Sequence, residues 1–142
     1  MKFVPDSSVV SEVIPSANYG DRRNGREADM IVLHYTGMAD ADSAVQRLTR
    51  AGTEVSAHYI VHEDGRIVQC VPETLRAWHA GAGSWDKDTD INSCSIGIEI
   101  VNGGHDHGLP PFPLRQIAAE FAVGKGSPLP PNISPDRGLG QS

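Results

Sequence analysis

Met30-Ile31-Val32-Leu33-His34-Tyr35 is a continuous apolar run ending in a histidine, and Ser95-Ile96-Gly97-Ile98-Glu99-Ile100-Val101 is a second run that carries one carboxylate. Runs this short, rich in β-branched residues and bounded by turn residues, read as buried strands. Thr36-Gly37 ends the first. In the second, alternation places Ile96, Ile98 and Ile100 on one face of a sheet and Gly97, Glu99 and Val101 on the other.

Working outward, Val55 to His62 reads as another strand. Glu63-Asp64-Gly65 follows it as a hairpin turn, and Arg66 to Val71 is the return strand. Between the first two strands, Asp40 or Asp42 can cap a helix over Ser43 to Arg50, with Ala44, Val45 and Leu48 facing the core and Ala51-Gly52 closing it. Residues 76–94 read as loop, as does the Gly/Pro/His-rich stretch from Asn102. Pro113 to Val123 has the pattern of a helix, and Gly124 to Pro131 would break it. Residues 1–27 are polar and punctuated by Pro and Gly, an irregular lead-in in which Asn18 to Arg23 has the look of a surface loop. Residues 28–142 form the domain proper. Strands and helices mix along the chain and one strand pair is a hairpin. The expected class is therefore α/β, a mixed central β-sheet flanked by helices.

A chain of 142 residues is long enough for one hydrophobic core. Its net charge of −6 argues against a general nucleic-acid binder, which needs a basic stripe to neutralise phosphates. The opening residues, Met1-Lys2-Phe3-Val4-Pro5-Asp6, contain no apolar segment of the kind that directs export or spans a bilayer. The expectation is a cytoplasmic protein with no membrane partner. Cys70 and Cys94 could pair on count alone, but in such a setting two buried thiols are the better reading. Neither has a CxxC partner, which disfavours a cysteine-based zinc site.

Two residues carry candidate chemistry. His34 stands at the C-terminal end of its strand, where side chains point into clefts, and a neutral imidazole there is a good zinc ligand. The simpler alternative is a hydrogen-bonded core histidine. Glu99 is either a desolvated carboxylate suited to general-base work or an exposed residue on the polar face of a half-covered sheet. His58 and His79 are candidates for substrate contact or for support behind a site. Trp78 and Trp85 could stack on sugar or peptide. For each of these, an ordinary surface histidine or a loop-anchoring tryptophan is the simpler alternative. His62, beside the hairpin turn, reads as solvated. His105 and His107 form an HxH pair in a Gly-rich loop, which is weak support for metal binding.

The ordered series Ile31-Val32-Leu33-His34-Tyr35-Thr36, Val55-Ser56-Ala57-His58-Tyr59, Asp64-Gly65-Arg66-Ile67, Arg76-Ala77-Trp78-His79-Ala80-Gly81 and Ser95 to Asn102 resembles the amidase-2 type N-acetylmuramoyl-L-alanine amidases. That group is related to peptidoglycan recognition proteins and to phage lysozyme-like amidases. The resemblance runs from about Ala28 to about Arg115. It implies a mixed sheet with a zinc ion in a cleft. It also implies hydrolysis of the amide between N-acetylmuramic acid and L-alanine, with His34 as the first zinc ligand and Glu99 as the acidic residue that activates water. His58, Trp78 and His79 fall on family motif positions near the cleft, which implies substrate contact or support. The implied partners are peptidoglycan fragments or muropeptides, met by a monomer.

The chain departs from the family pattern late. The family carries a leucine-glycine-histidine-serine-aspartate segment followed by alanine-proline, a lysine and a further ligand. Here Gln141 stands where the second zinc histidine is expected, and the third ligand and the lysine would fall beyond Ser142. On this reading the C-terminus is atypical or truncated and zinc binding is weakened or lost. A non-catalytic peptidoglycan-binding module is the alternative function, and a damaged product with none is a third reading.

Overall fold

The computed structural model describes residues 2–36, 40–62, 64–80 and 90–101. In chain order its strands are β1 (Glu12–Val13), β2 (Tyr19–Gly20), β3 (Met30–Tyr35), β4 (Tyr59–Val61), β5 (Ile67–Gln69), β6 (Arg76–Ala77) and β7 (Ser95–Ile100). Two α-helical segments, α1 (Ala41–Thr49) and α2 (Ile91–Cys94), and a short 3-10 turn at Arg23–Gly25 complete the described residues.

Five strands form one sheet in the order β1-β5-β4-β7-β3. β7 runs parallel to both β3 and β4, β4 is antiparallel to β5, and β1 is parallel to β5. The expected mixed sheet is therefore present. The apolar faces explain its layering. Leu33, Tyr59, Val61, Ile67, Ile96, Ile98 and Ile100 pack together on one side. On the other, Ile60, Val68 and Val101 pack against Ala44 and Leu48 of α1. Alternation along β7 thus sorts its residues as the sequence indicates.

Asp40 caps α1. Its carboxylate accepts from the Ser43 N–H at 2.7 Å, so the helix begins at Ala41, before the expected start. The helix ends at Thr49 with Arg50 extended, and the chain turns after it through Gly52 at φ +93°. At the hairpin, Gly65 takes φ +87° and its N–H reaches the His62 carbonyl at 2.9 Å, as an Asp-Gly turn requires.

Three expectations change. The strand expected over Val55–His62 pairs regularly only over Tyr59–Val61, because its earlier backbone bonds are divided: Ser56 N donates to Trp78 O and His58 N to Gly97 O. The stretch read as loop from residue 76 contains β6, paired with β2, and the single turn α2. The stretch from Asn18 to Arg23, read as a surface loop, sends two of its side chains inward: Asn18 and Arg22 are buried. Asn18 Nδ2 donates to the carbonyls of Arg50 and Val55, tying β2 to the end of α1. Both cysteines are buried thiols, as expected, with no disulfide between them. No helix among the described residues is long and apolar enough to cross a membrane. The helix expected over 113–123 lies outside the described residues.

Candidate active site

The parallel pairing of β3 with β7 sets His34 directly beside Glu99. Lateral partners in a sheet share a face, so the register places both side chains on the side away from Leu33, Ile98 and Ile100. His34 Nδ1 lies 4.0 Å from Glu99 Oε2. His34 is 3% exposed and Glu99 2%, so the buried alternative holds for the carboxylate. Burial lowers the His34 pKa to about 4, which leaves the imidazole neutral with a lone pair to offer. Its Nδ1 has no hydrogen-bond partner among the described residues.

His79 lies against the same face. Its Nδ1 is 3.1 Å from His34 Nε2, and its Nε2 is 2.9 Å from Ser95 Oγ. Its ring rests on Gly97, where a Cβ would come within 2.2 Å of the imidazole. A glycine inside a strand marks such a close approach. Asn92 Oδ1 accepts from the backbone N–H groups of His79 and Ala80 at 3.1 and 2.9 Å, which fixes the loop that carries the ring. Burial first, then the neighbouring His58, His34, Arg22 and Arg76, hold His79 well below the ordinary histidine pKa.

His58 is fully buried, and its ring is fully engaged. Nδ1 accepts from the Gly97 N–H at 3.0 Å, so the proton is on Nε2, which donates to the Leu75 carbonyl at 2.9 Å. The Arg22 Nη2 atom at 3.3 Å from Nε2 is then a donor facing a donor. Arg22 instead spends its protons on the carbonyls of Glu73, Asn92 and Ser95. Of the two roles expected of His58, substrate contact or support, this arrangement fits support behind the site. Trp78 is half-buried, and its backbone N–H is held by Ser56 Oγ at 2.8 Å. Trp85, His105, His107 and Gln141 lie outside the described residues. His62 is half-buried, not freely solvated.

For a metal ion, the fit can be tested on His34. A neutral, buried nitrogen without a partner, facing a carboxylate, is suited to one bond to a cation. Among the described residues no group of three His, Cys, Asp or Glu could hold a metal ion, so His34 offers a single donor there. Sequence reading missed Arg22, Asn92 and Ser95. Nothing local marks them, because their partners are distant in the chain.

The family model for N-acetylmuramoyl-L-alanine amidase matches residues 24–124. The chain is 38% identical over 108 residues to the N-acetylmuramoyl-L-alanine amidase AmiD of Escherichia coli K12, a match covering 68% of this chain and 38% of AmiD. It is 32% identical over 117 residues to the 1,6-anhydro-N-acetylmuramyl-L-alanine amidase AmpD of Salmonella typhimurium SL1344, covering 69% of this chain and 63% of AmpD. The chain thus spans less than two thirds of the length of either relative. Its fold superposes with a TM-score of 0.62 and 33% identity on E. coli AmiD solved with the substrate anhydro-N-acetylmuramic acid-L-Ala-D-γ-Glu-L-Lys, covering 70% of this chain and 45% of that one. The match of the family model over residues 24–124, together with the identity to these amidases, places this chain in the N-acetylmuramoyl-L-alanine amidase family.

Proposed function

We propose that this protein hydrolyses the amide joining the lactyl group of N-acetylmuramic acid to L-alanine, in peptidoglycan or in muropeptides such as the anhydro-muropeptide bound by its AmiD relative. The observation that carries the reading is the buried pair His34 and Glu99, 4.0 Å apart. In this reading His34 Nδ1 is one ligand of a zinc ion, which when bound supplies Lewis-acid chemistry to carbonyl and water. Glu99 takes a proton from the attacking water as its oxygen bonds to the carbonyl carbon. It then returns that proton to the L-alanine nitrogen as the C–N bond breaks. Its burial excludes bulk water from competing for that proton. Trp78 stacks on the sugar or peptide, while His58 and His79 hold the floor of the site.

A non-catalytic binding module is the weaker reading, because binding alone does not call for a buried imidazole beside a buried carboxylate. The test is incubation of the protein, with zinc added, with an anhydro-N-acetylmuramyl tripeptide, followed by mass spectrometry of the products. Release of free peptide with an N-terminal L-alanine is the expected result. Binding of the muropeptide without cleavage, in a folded and zinc-supplied sample, would overturn the catalytic reading.

A further inference from the structure

A line of polar groups runs from the turn at Ile91 to the bare nitrogen of His34. Ser95 Oγ lies 2.7 Å from the Ile91 carbonyl oxygen, His79 Nε2 2.9 Å from Ser95 Oγ, and His79 Nδ1 3.1 Å from His34 Nε2. The direction of every bond in this line follows from its first member. A carbonyl oxygen only accepts, so the single hydroxyl proton of Ser95 points at Ile91. Ser95 Oγ then has only a lone pair to offer, and His79 Nε2 must be the donor. His79 is buried, with Ser95 Oγ and His34 Nε2 against its two ring nitrogens and no carboxylate bonded to it among the described residues, so it is neutral and its Nδ1 carries a lone pair. His34 Nε2 therefore donates, and His34 Nδ1 is left without a proton. Reversing the line would set two oxygens 2.7 Å apart with no proton between them. That is untenable where the serine is fully buried.

We propose that Ser95 and His79 are positioning residues that hold His34 in its Nε2–H tautomer, so that Nδ1, the nitrogen facing Glu99, is the one available to a metal cation. The proposal rests on the reading of His34 as a zinc ligand, but the tautomer itself does not depend on metal. Outer partners of this kind orient a ligating imidazole and fix its proton. Gly97 completes the device by leaving room for the His79 ring.

The test is nitrogen-15 spectroscopy of the histidine rings in the full chain, freed of metal by a chelator at neutral pH. The His34 signals are assigned by their loss in His34→Gln. The expected wild-type result is a protonated Nε2 and an unprotonated Nδ1 on both His34 and His79. In Ser95→Ala the His79 Nε2 proton loses its acceptor, and the tautomer ratio of His34 should move toward Nδ1–H by about tenfold. Ser95→Thr, which keeps the hydroxyl, should restore the wild-type pattern. A wild-type His34 with its proton on Nδ1 overturns the proposal, whatever the fate of Ser95→Ala. A His34 pattern unchanged in a folded Ser95→Ala removes Ser95 from it. An Nε2–H tautomer in a protein that neither binds zinc nor cleaves muropeptide would support the hydrogen-bond line while ending the zinc-ligand reading.

Discussion

Gly97 lies so close beneath the imidazole of His79 that a Cβ there would come within 2.2 Å of the ring. The nearest atoms belong to the ring body and not to the tip of a flexible chain, so the contact cannot be relieved by a small rotation. Gly97→Ala should therefore displace His79 and cost about 1–3 kcal/mol in stability, the usual range for overpacking. Urea denaturation checks this. Adding His79→Ala to Gly97→Ala should recover part of the loss, a non-additivity that identifies the ring as the obstacle.

Glu99→Gln should keep the fold, since the amide is nearly isosteric, and should lower muropeptide cleavage by about 10²–10⁴-fold, the range expected for loss of a general base. Product release measured at saturating substrate checks it. Substrate binding by calorimetry should change far less than turnover. A variant with near wild-type turnover would remove Glu99 from the proton transfer.

Stability should fall on mild acidification, and His58 makes a defined part of that fall. Burial lowers its pKa from 6.5 to about 3. Between those values the unfolded chain holds a proton on this ring that the folded chain does not, so acid favours unfolding. The contribution is intact above about pH 6.5 and erodes below it by about 1.4 kcal/mol per pH unit until the folded value is reached. Urea midpoints compared at about pH 7 and about pH 4.5 should show a shallower pH dependence for His58→Gln than for wild type. His58→Gln should also be less stable at neutral pH, because His58 bonds the Gly97 N–H and the Leu75 carbonyl.

The thiols should be silent in the native state. Burial pushes the Cys70 pKa up to about 12, and Cys94 is equally shielded from solvent. The thiolate is the reactive species, so neither cysteine should react with a thiol-disulfide reagent at mildly alkaline pH. Both should titrate after denaturation, and modification followed by mass spectrometry gives the count. Prompt labelling of Cys70 in the folded protein would contradict its burial.

Much of this site was legible along the chain because the signals are local. Alternation in Ser95 to Val101 placed Glu99 opposite the isoleucines, and the terminal position of His34 in its apolar run made it a candidate ligand beside the alternative of a core histidine. The motif series carried the family. The roles of His58 and His79 were less legible, since whether a ring faces a ligand or a core depends on what packs over it. Arg22 and Ser95 carried no local mark at all. Arg22 meets the carbonyls of Glu73, Asn92 and Ser95, all more than fifty positions away along the chain.

The sequence by itself determined the class of sheet, the hairpin at Asp64-Gly65, a helix capped by Asp40 or Asp42 and the two residues proposed to carry the chemistry. These follow from periodicity, turn chemistry and residue type within a few positions of the chain. Only the tertiary structure decided that His34 and Glu99 are neighbours, because strand register is set by partners far apart in sequence. It alone also decided that three histidines share one buried interior and that a serine hydroxyl bonded to the Ile91 carbonyl governs where the protons of two of them, His79 and His34, lie. A proton's place on an imidazole depends on its neighbours in space, and those neighbours exist only once the strands have been laid side by side.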